Sequence, residues 1–130
     1  MSGKPSMRTP LGRVRSLGSA KSGTGDFWRQ RVTAVATMLL TLPVIIIILM
    51  LLGRNHAGAQ LLLSNPAVAV ILMLFVIASC WHMKIGMQVV LEDYVHDEKV
   101  KLVAIIANNF FSVAVALTSI YALIKLSSGV

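Results

Sequence analysis

Residues 66–91 read PAVAVILMLFVIASCWHMKIGMQVVL, and this stretch decides the fold. Its only ionisable side chains are those of Cys80, His82 and Lys84, and it opens on Pro66, a residue suited to the first position of a helix. A helix crosses the roughly 30 Å of bilayer hydrocarbon with about 20 apolar residues, so the stretch is long enough to span a membrane. Upstream, residues 32–52 read VTAVATMLLTLPVIIIILMLL without a charge. Pro43 lies inside this run, and a helix interrupted by proline is tolerated in lipid. Downstream, residues 102–126 form a third apolar run whose one charge is Lys125 near its end. Residues 53–65 and 92–101 read as polar turns. No segment alternates polar and apolar residues at the length a β-barrel strand needs, and the chain has no internal repeat. The expected fold is an all-α, integral membrane three-helix bundle over residues 26–130, preceded by a flexible basic arm over residues 1–25.

Composition agrees. Of 130 residues, 56% are hydrophobic and 13% charged, against about 25% charged in soluble domains. So little charge, with a single cysteine, excludes disorder, a disulfide scaffold and an ordinary soluble enzyme domain. The single cysteine has no internal partner for a disulfide. The net charge of +7 is concentrated at one end: Lys4, Arg8, Arg13, Arg15, Lys21, Arg29 and Arg31 all precede the first apolar run. That distribution points to membrane lipid rather than nucleic acid as the partner of the basic residues. The arm contains no acid before Asp26 and no short apolar core with a cleavage site, so it is not a secretory signal. Its Arg and Ser content is similar to that of a mitochondrial presequence, but Pro5, Pro10, Gly12 and Gly18 interrupt any amphipathic helix. Basic residues flanking membrane spans mark the cytoplasmic side. Seven lie in the arm and span entrance, one (Arg54) in the first turn, two (Lys99, Lys101) in the second and one (Lys125) at the C-terminal end. The N-terminus and second turn are therefore expected on the cytoplasmic (or matrix) side, and the first turn and C-terminus opposite.

Polar residues are costly in hydrocarbon and mark where a span meets protein or cofactor. Ser79, His82, Gly86 and Asp93 follow one another at three, four and seven residues, which places them on one helix face. A histidine with a glycine one turn away admits two readings. It hydrogen-bonds a neighbouring helix that approaches closely at the glycine, or it ligates a haem iron beside the space the glycine clears. A bis-histidine haem would need another chain, because His56 and His96 lie at opposite membrane ends. Lys84 points to a different face from His82; it either snorkels towards the surface or meets an anionic group. The acidic segment EDYVHDE at residues 92–98 is either a solvated turn with an interfacial tyrosine or a proton and hydrogen-bond site at headgroup level. Thr33, Thr37 and Thr41 in the first span, and Asn108, Ser112 and Ser119 in the third, read as hydrogen-bonding stripes between helices. Phe27 and Trp28 read as interfacial anchors. No metal-ligand cluster, phosphate loop or nucleophilic triad is present in the sequence.

The string HMKIGMQVVLEDYVH at residues 82–96 resembles the smaller hydrophobic membrane anchor subunit of succinate dehydrogenase, a cytochrome b-type anchor of respiratory complex II. The family carries His, then Gly four residues on, then Asp-Tyr-Val at eleven to thirteen residues after the His, and all are here. An Arg-x-Thr-Ala motif opens the family's first helix and reads Arg31-Val32-Thr33-Ala34. The resemblance extends over nearly the whole chain from Asp26.

The resemblance implies a residue-by-residue assignment. His82 matches the axial ligand to the iron of haem b, with the other axial histidine on the larger cytochrome b anchor subunit. Tyr94 matches the tyrosine that hydrogen-bonds a ubiquinone carbonyl, and Asp93 the adjacent acid that contributes to proton delivery. Arg31 matches an arginine near a haem propionate. The implied partners are that larger anchor, an iron–sulfur subunit carrying the iron–sulfur clusters, and a flavoprotein subunit where FAD oxidises succinate. This chain would perform none of the succinate chemistry. The basic arm is similar to that of alphaproteobacterial members, which implies a bacterial inner membrane, with the mitochondrial inner membrane as the alternative. Two rivals remain at this point: a small transporter, and a haem-free structural or assembly anchor.

Overall fold

The computed structural model describes residues 7, 9–11 and 22–129, so most of the arm expected over residues 1–25 lies outside the described residues. The described chain is four helices: α1 (Ser22–Leu51), α2 (His56–Leu63), α3 (Pro66–Tyr94) and α4 (Glu98–Ser128). The three long ones are each apolar and long enough to cross a membrane, and no strand occurs among the described residues.

Each long helix extends beyond its apolar run. α1 starts ten residues before Val32, and its polar entrance carries an Asp26–Arg29 ion pair at 3.7 Å and the Arg31 guanidinium 4.6 Å above the Phe27 ring. Such exposed contacts contribute only tenths of a kcal/mol, but nothing between Asp26 and Leu42 interrupts a helix. α1 continues through Pro43. Pro66 does open α3 at its first turn, and the Asn65 side chain caps it by accepting from the Ala67 N–H at 3.0 Å. Asp97 caps α4, accepting from the N–H groups of Lys99 and Val100 at 2.9 and 3.1 Å. Glu98 in the first turn of α4 and Lys125 in its last are placed to favour the helix dipole. Gly129 closes α4 at φ 74°, a left-handed conformation in which glycine carries no Cβ penalty.

The first turn is more ordered than a simple polar loop. Gly53, also at φ 74°, turns the chain after α1. Asn55 then caps the short helix α2, whose Leu63 is buried against the bundle. The second turn is correspondingly short: only Val95, His96 and Asp97 separate α3 from α4.

α3 is the central element. It packs along α1 on one side and α4 on the other, while α1 and α4 do not touch among the described residues. Both pairings are antiparallel. Thr33 meets His82 and Gln30 meets Gly86 on the α1 side; Asn108 meets Lys84 on the α4 side. α2 contacts all three long helices at the end where α1 finishes and α3 begins. The buried apolar positions are few: Val44, Ile47, Leu63, Ala69 and Ile85. Large residues such as Leu39, Leu42, Ile46, Leu117 and Phe110 stand exposed around the outside. An apolar exterior of this extent is stable against lipid or further helices and not against water.

The polar stripes divide. Thr33 and Asn108 reach across to α3. Thr37, Thr41 and Ser112 instead donate to carbonyls four residues back in their own helices, the local alternative open to a small hydroxyl side chain in a helix. The expectation that these residues bond across helices holds for Thr33 and Asn108 and is corrected for Thr37, Thr41 and Ser112.

Candidate functional site

His82 lies on the α1-facing side of α3. Its Nδ1 is 3.2 Å from Oγ1 of Thr33, and the Thr33 side chain is buried, 8% exposed. Oγ1 is 2.8 Å from the Arg29 carbonyl oxygen and 3.2 Å from that of Gln30. A hydroxyl has one proton, and these carbonyls can only accept. With that proton directed to Arg29, the shorter contact, Oγ1 is left to accept from His82 Nδ1, the arrangement in which the imidazole proton sits on Nδ1. The other ring nitrogen, Nε2, then carries the lone pair that a metal ion requires. The chemistry of this donor fits an axial ligand to haem iron. Among the described residues no group of three or more His, Cys, Asp or Glu gathers to hold a bare metal ion.

Gly86, one turn further, also faces α1. A Cβ built there would lie 3.4 Å from Nε2 of Gln30, so within this chain the space beside the glycine is taken by a side chain of the neighbouring helix. The Gln30 Oε1 atom is buried without a hydrogen-bond partner, as is Oγ of Ser79, one turn to the other side of His82. Arg31 lines a cleft of about 320 Å³ between α1 and α3, together with Gln30, Ile85, Val89 and Glu92. That cleft begins at Ile85, one turn from His82. Lys84 faces the opposite way, as its spacing from His82 requires, and lines a largely apolar cavity of about 210 Å³ with Trp81 and Ser112 between α3 and α4. Its carbonyl accepts a 2.9 Å hydrogen bond from Asn108 Nδ2.

Asp93 and Tyr94 end α3. Both are exposed, Tyr94 by 77%. The other acids of the segment have local duties. Glu92 accepts from Gln88 at 2.9 Å, Asp97 caps α4, and Glu98 pairs with Lys101 at 3.6 Å. Asp93 and Tyr94 have no such partner among the described residues. An exposed phenol beside an uncommitted carboxylate can donate a hydrogen bond and exchange protons with water.

The family described as succinate dehydrogenase/fumarate reductase transmembrane subunit matches residues 5–116. The chain belongs to that family. Among its relatives, the succinate dehydrogenase hydrophobic membrane anchor subunit of Paracoccus denitrificans is 32% identical over 121 residues, covering 93% of each chain. The protein of the same name from Rickettsia bellii is 32% identical over 109 residues, 82% of this chain and 85% of its own. A succinate dehydrogenase membrane anchor subunit from Reclinomonas americana is 27% identical over 88 residues. No solved structure matches significantly. Membership in this transmembrane-subunit family, with three apolar helices, makes the chain a multi-pass membrane protein.

Within this succinate dehydrogenase/fumarate reductase anchor, Thr33 and Gln30 of α1 stand against the His82–Gly86 face of α3. In the sequence Thr33 belongs to a threonine stripe and to the Arg-x-Thr-Ala motif, neither of which points to His82, and Gln30 carries no signal. Their roles depend on the antiparallel register of α1 against α3, which carries no signal in a single chain's hydropathy.

Proposed function

We propose that the chain is the smaller membrane anchor of a succinate:ubiquinone oxidoreductase. In this reading His82 would hold the iron of haem b through Nε2, with a histidine of a larger cytochrome b anchor subunit as its other protein ligand. Arg31, lining the cleft beside the His82 face, would attract an anionic propionate. The haem, when bound, supplies a one-electron redox centre within the membrane. The observation that supports the reading most strongly is the 3.2 Å contact between Thr33 Oγ1 and His82 Nδ1, which occupies Nδ1 and leaves Nε2 as the ring nitrogen available to a metal.

Ubiquinone reduction belongs at the C-terminal end of α3. A quinone takes up two electrons and two protons to become a quinol. The Tyr94 hydroxyl donates a hydrogen bond to a quinone carbonyl, favouring the oxygen on which negative charge develops. Asp93 beside it passes protons from water. The electrons come from an iron–sulfur subunit docked over this end, which receives them from FAD in a flavoprotein subunit that oxidises succinate. Protons and soluble subunits both lie on the cytoplasmic side of a bacterial inner membrane, the side to which the basic entrance of α1 and the second turn are assigned. The basic residues near the surface add attraction to anionic lipid, about 1 kcal/mol each.

Purification of the tagged chain in mild detergent from its native membrane tests this. A reduced-minus-oxidised spectrum of b type, with a flavoprotein, an iron–sulfur protein and a second anchor co-purifying, is the expected result. A complex that reduces quinone without a haem spectrum would leave a haem-free anchor; a colourless chain without those partners would overturn the proposal.

A further inference from the structure

We infer that Thr33 is a positioning residue for the axial histidine: its hydroxyl, locked to the Arg29 carbonyl, accepts the Nδ1 proton of His82, so it sets both the tautomer and the electron donation of the ring that binds haem iron. The inference rests on the haem reading above and extends it to a residue on a different helix.

Three observations carry it. The Thr33 side chain is buried between α1 and α3. Its hydroxyl makes the shorter contact, 2.8 Å, to Arg29 O and the longer, 3.2 Å, to His82 Nδ1. Threonine is stiff at χ1, and the bond to the carbonyl four residues back selects one rotamer. The oxygen is thereby fixed in place with a lone pair directed to α3. Were the hydroxyl to donate to Nδ1 instead, the ring proton would move to Nε2 and iron could not be ligated there. A ring N–H donated to a fixed oxygen also makes the opposite nitrogen a stronger base. A more basic axial ligand favours ferric over ferrous iron and lowers the midpoint potential. Thr33 acts through His82 and touches no reacting atom.

The test is made on the whole complex, purified from its native membrane, with Thr33→Val, Thr33→Ala and Thr33→Ser compared by haem content, redox titration and electron paramagnetic resonance of the ferric haem. Val matches threonine in shape and lacks the oxygen. It is expected to shift the ferric-to-ferrous ratio at fixed potential about tenfold towards ferrous, which is about 59 mV positive for a one-electron couple, and to change the ferric signal as the ring is released. Ser is expected to restore both. If Val and Ala fail to retain haem while Ser retains it at the native potential, the hydroxyl is again the operative group. A Val variant with native potential and signal, or a Ser variant that behaves like Val, would overturn the inference. His82→Ala in the same preparation separates the two levels: haem retained there overturns the haem reading itself, whereas haem lost there and an unmoved Thr33→Val overturns only the role of Thr33.

Discussion

His82 and Tyr94 stand on one uninterrupted helix, twelve residues apart, a separation of about 18 Å along the axis. The first faces the neighbouring helix α1 and the second is exposed at the helix end. One helix therefore holds His82 within its apolar stretch and the exposed Tyr94 hydroxyl at its end, a fixed distance apart. The two proposed tasks are consequently separable by mutation.

Tyr94→Phe removes the phenolic hydroxyl and keeps the ring. A lost neutral hydrogen bond of about 1 kcal/mol predicts roughly a fivefold fall in quinone reduction, while succinate oxidation with an artificial acceptor stays intact. Parallel assays of the two activities decide it. If they fall together, Tyr94 serves assembly.

Asp93 and Asp97 offer a contrast within four residues. Asp97→Ala removes the cap of α4, which costs about 1 kcal/mol of stability and lowers the unfolding temperature without changing quinone reduction per assembled complex. Asp93 caps nothing. Asp93→Asn is expected to do the reverse, slowing quinone reduction at nearly unchanged melting temperature. Equal behaviour of the two variants would contradict a proton-delivery role for Asp93.

Asn108→Ala deletes the 2.9 Å bond from α4 to the Lys84 carbonyl. Cross-helix hydrogen bonds in membranes contribute about 0.6 kcal/mol on average and about 1.7 at most. A small drop in thermal stability in detergent is expected, with haem content unchanged. Loss of haem from this variant would mean that the α3–α4 contact, and not only the α1 face, supports the cofactor.

Gly86→Ala places its Cβ 3.4 Å from the end of the Gln30 side chain, which can move aside, so haem content is expected to hold. Gly86→Leu adds three further carbons against α1. Overpacking of this kind costs about 1–3 kcal/mol and should lower the haem content measured per assembled complex. Equal haem in the wild-type and Leu complexes would show that close approach at Gly86 is not needed.

The three spans were legible because hydrocarbon imposes a length and a lack of charge that a single sequence displays directly. Pro66 marked a helix start for the same local reason. The helix ends were less legible: α1 runs ten residues upstream of the apolar run, and α3 continues through charged residues to Tyr94, because a helix leaving the bilayer keeps its backbone bonds where its side chains turn polar. The eight-residue α2 hid inside a stretch that reads as a turn. Of the candidate site, the face shared by His82 and Gly86 was visible from spacing alone. What it faces was not, since a period of 3.6 residues gives the side of a helix but not the partner opposite. The pairing of Thr33 with His82 spans 49 residues and follows from tertiary register. The acidic segment shows the same division: capping explains Asp97 locally, and only the exposed end of α3 sets Asp93 and Tyr94 apart.

The most direct test of the central claim is the reduced-minus-oxidised spectrum of the complex carrying His82→Ala. The account predicts that the b-type absorbance is lost while the flavoprotein and iron–sulfur subunits still co-purify with the anchor. An unchanged spectrum at unchanged haem content would contradict it and place the haem ligands elsewhere.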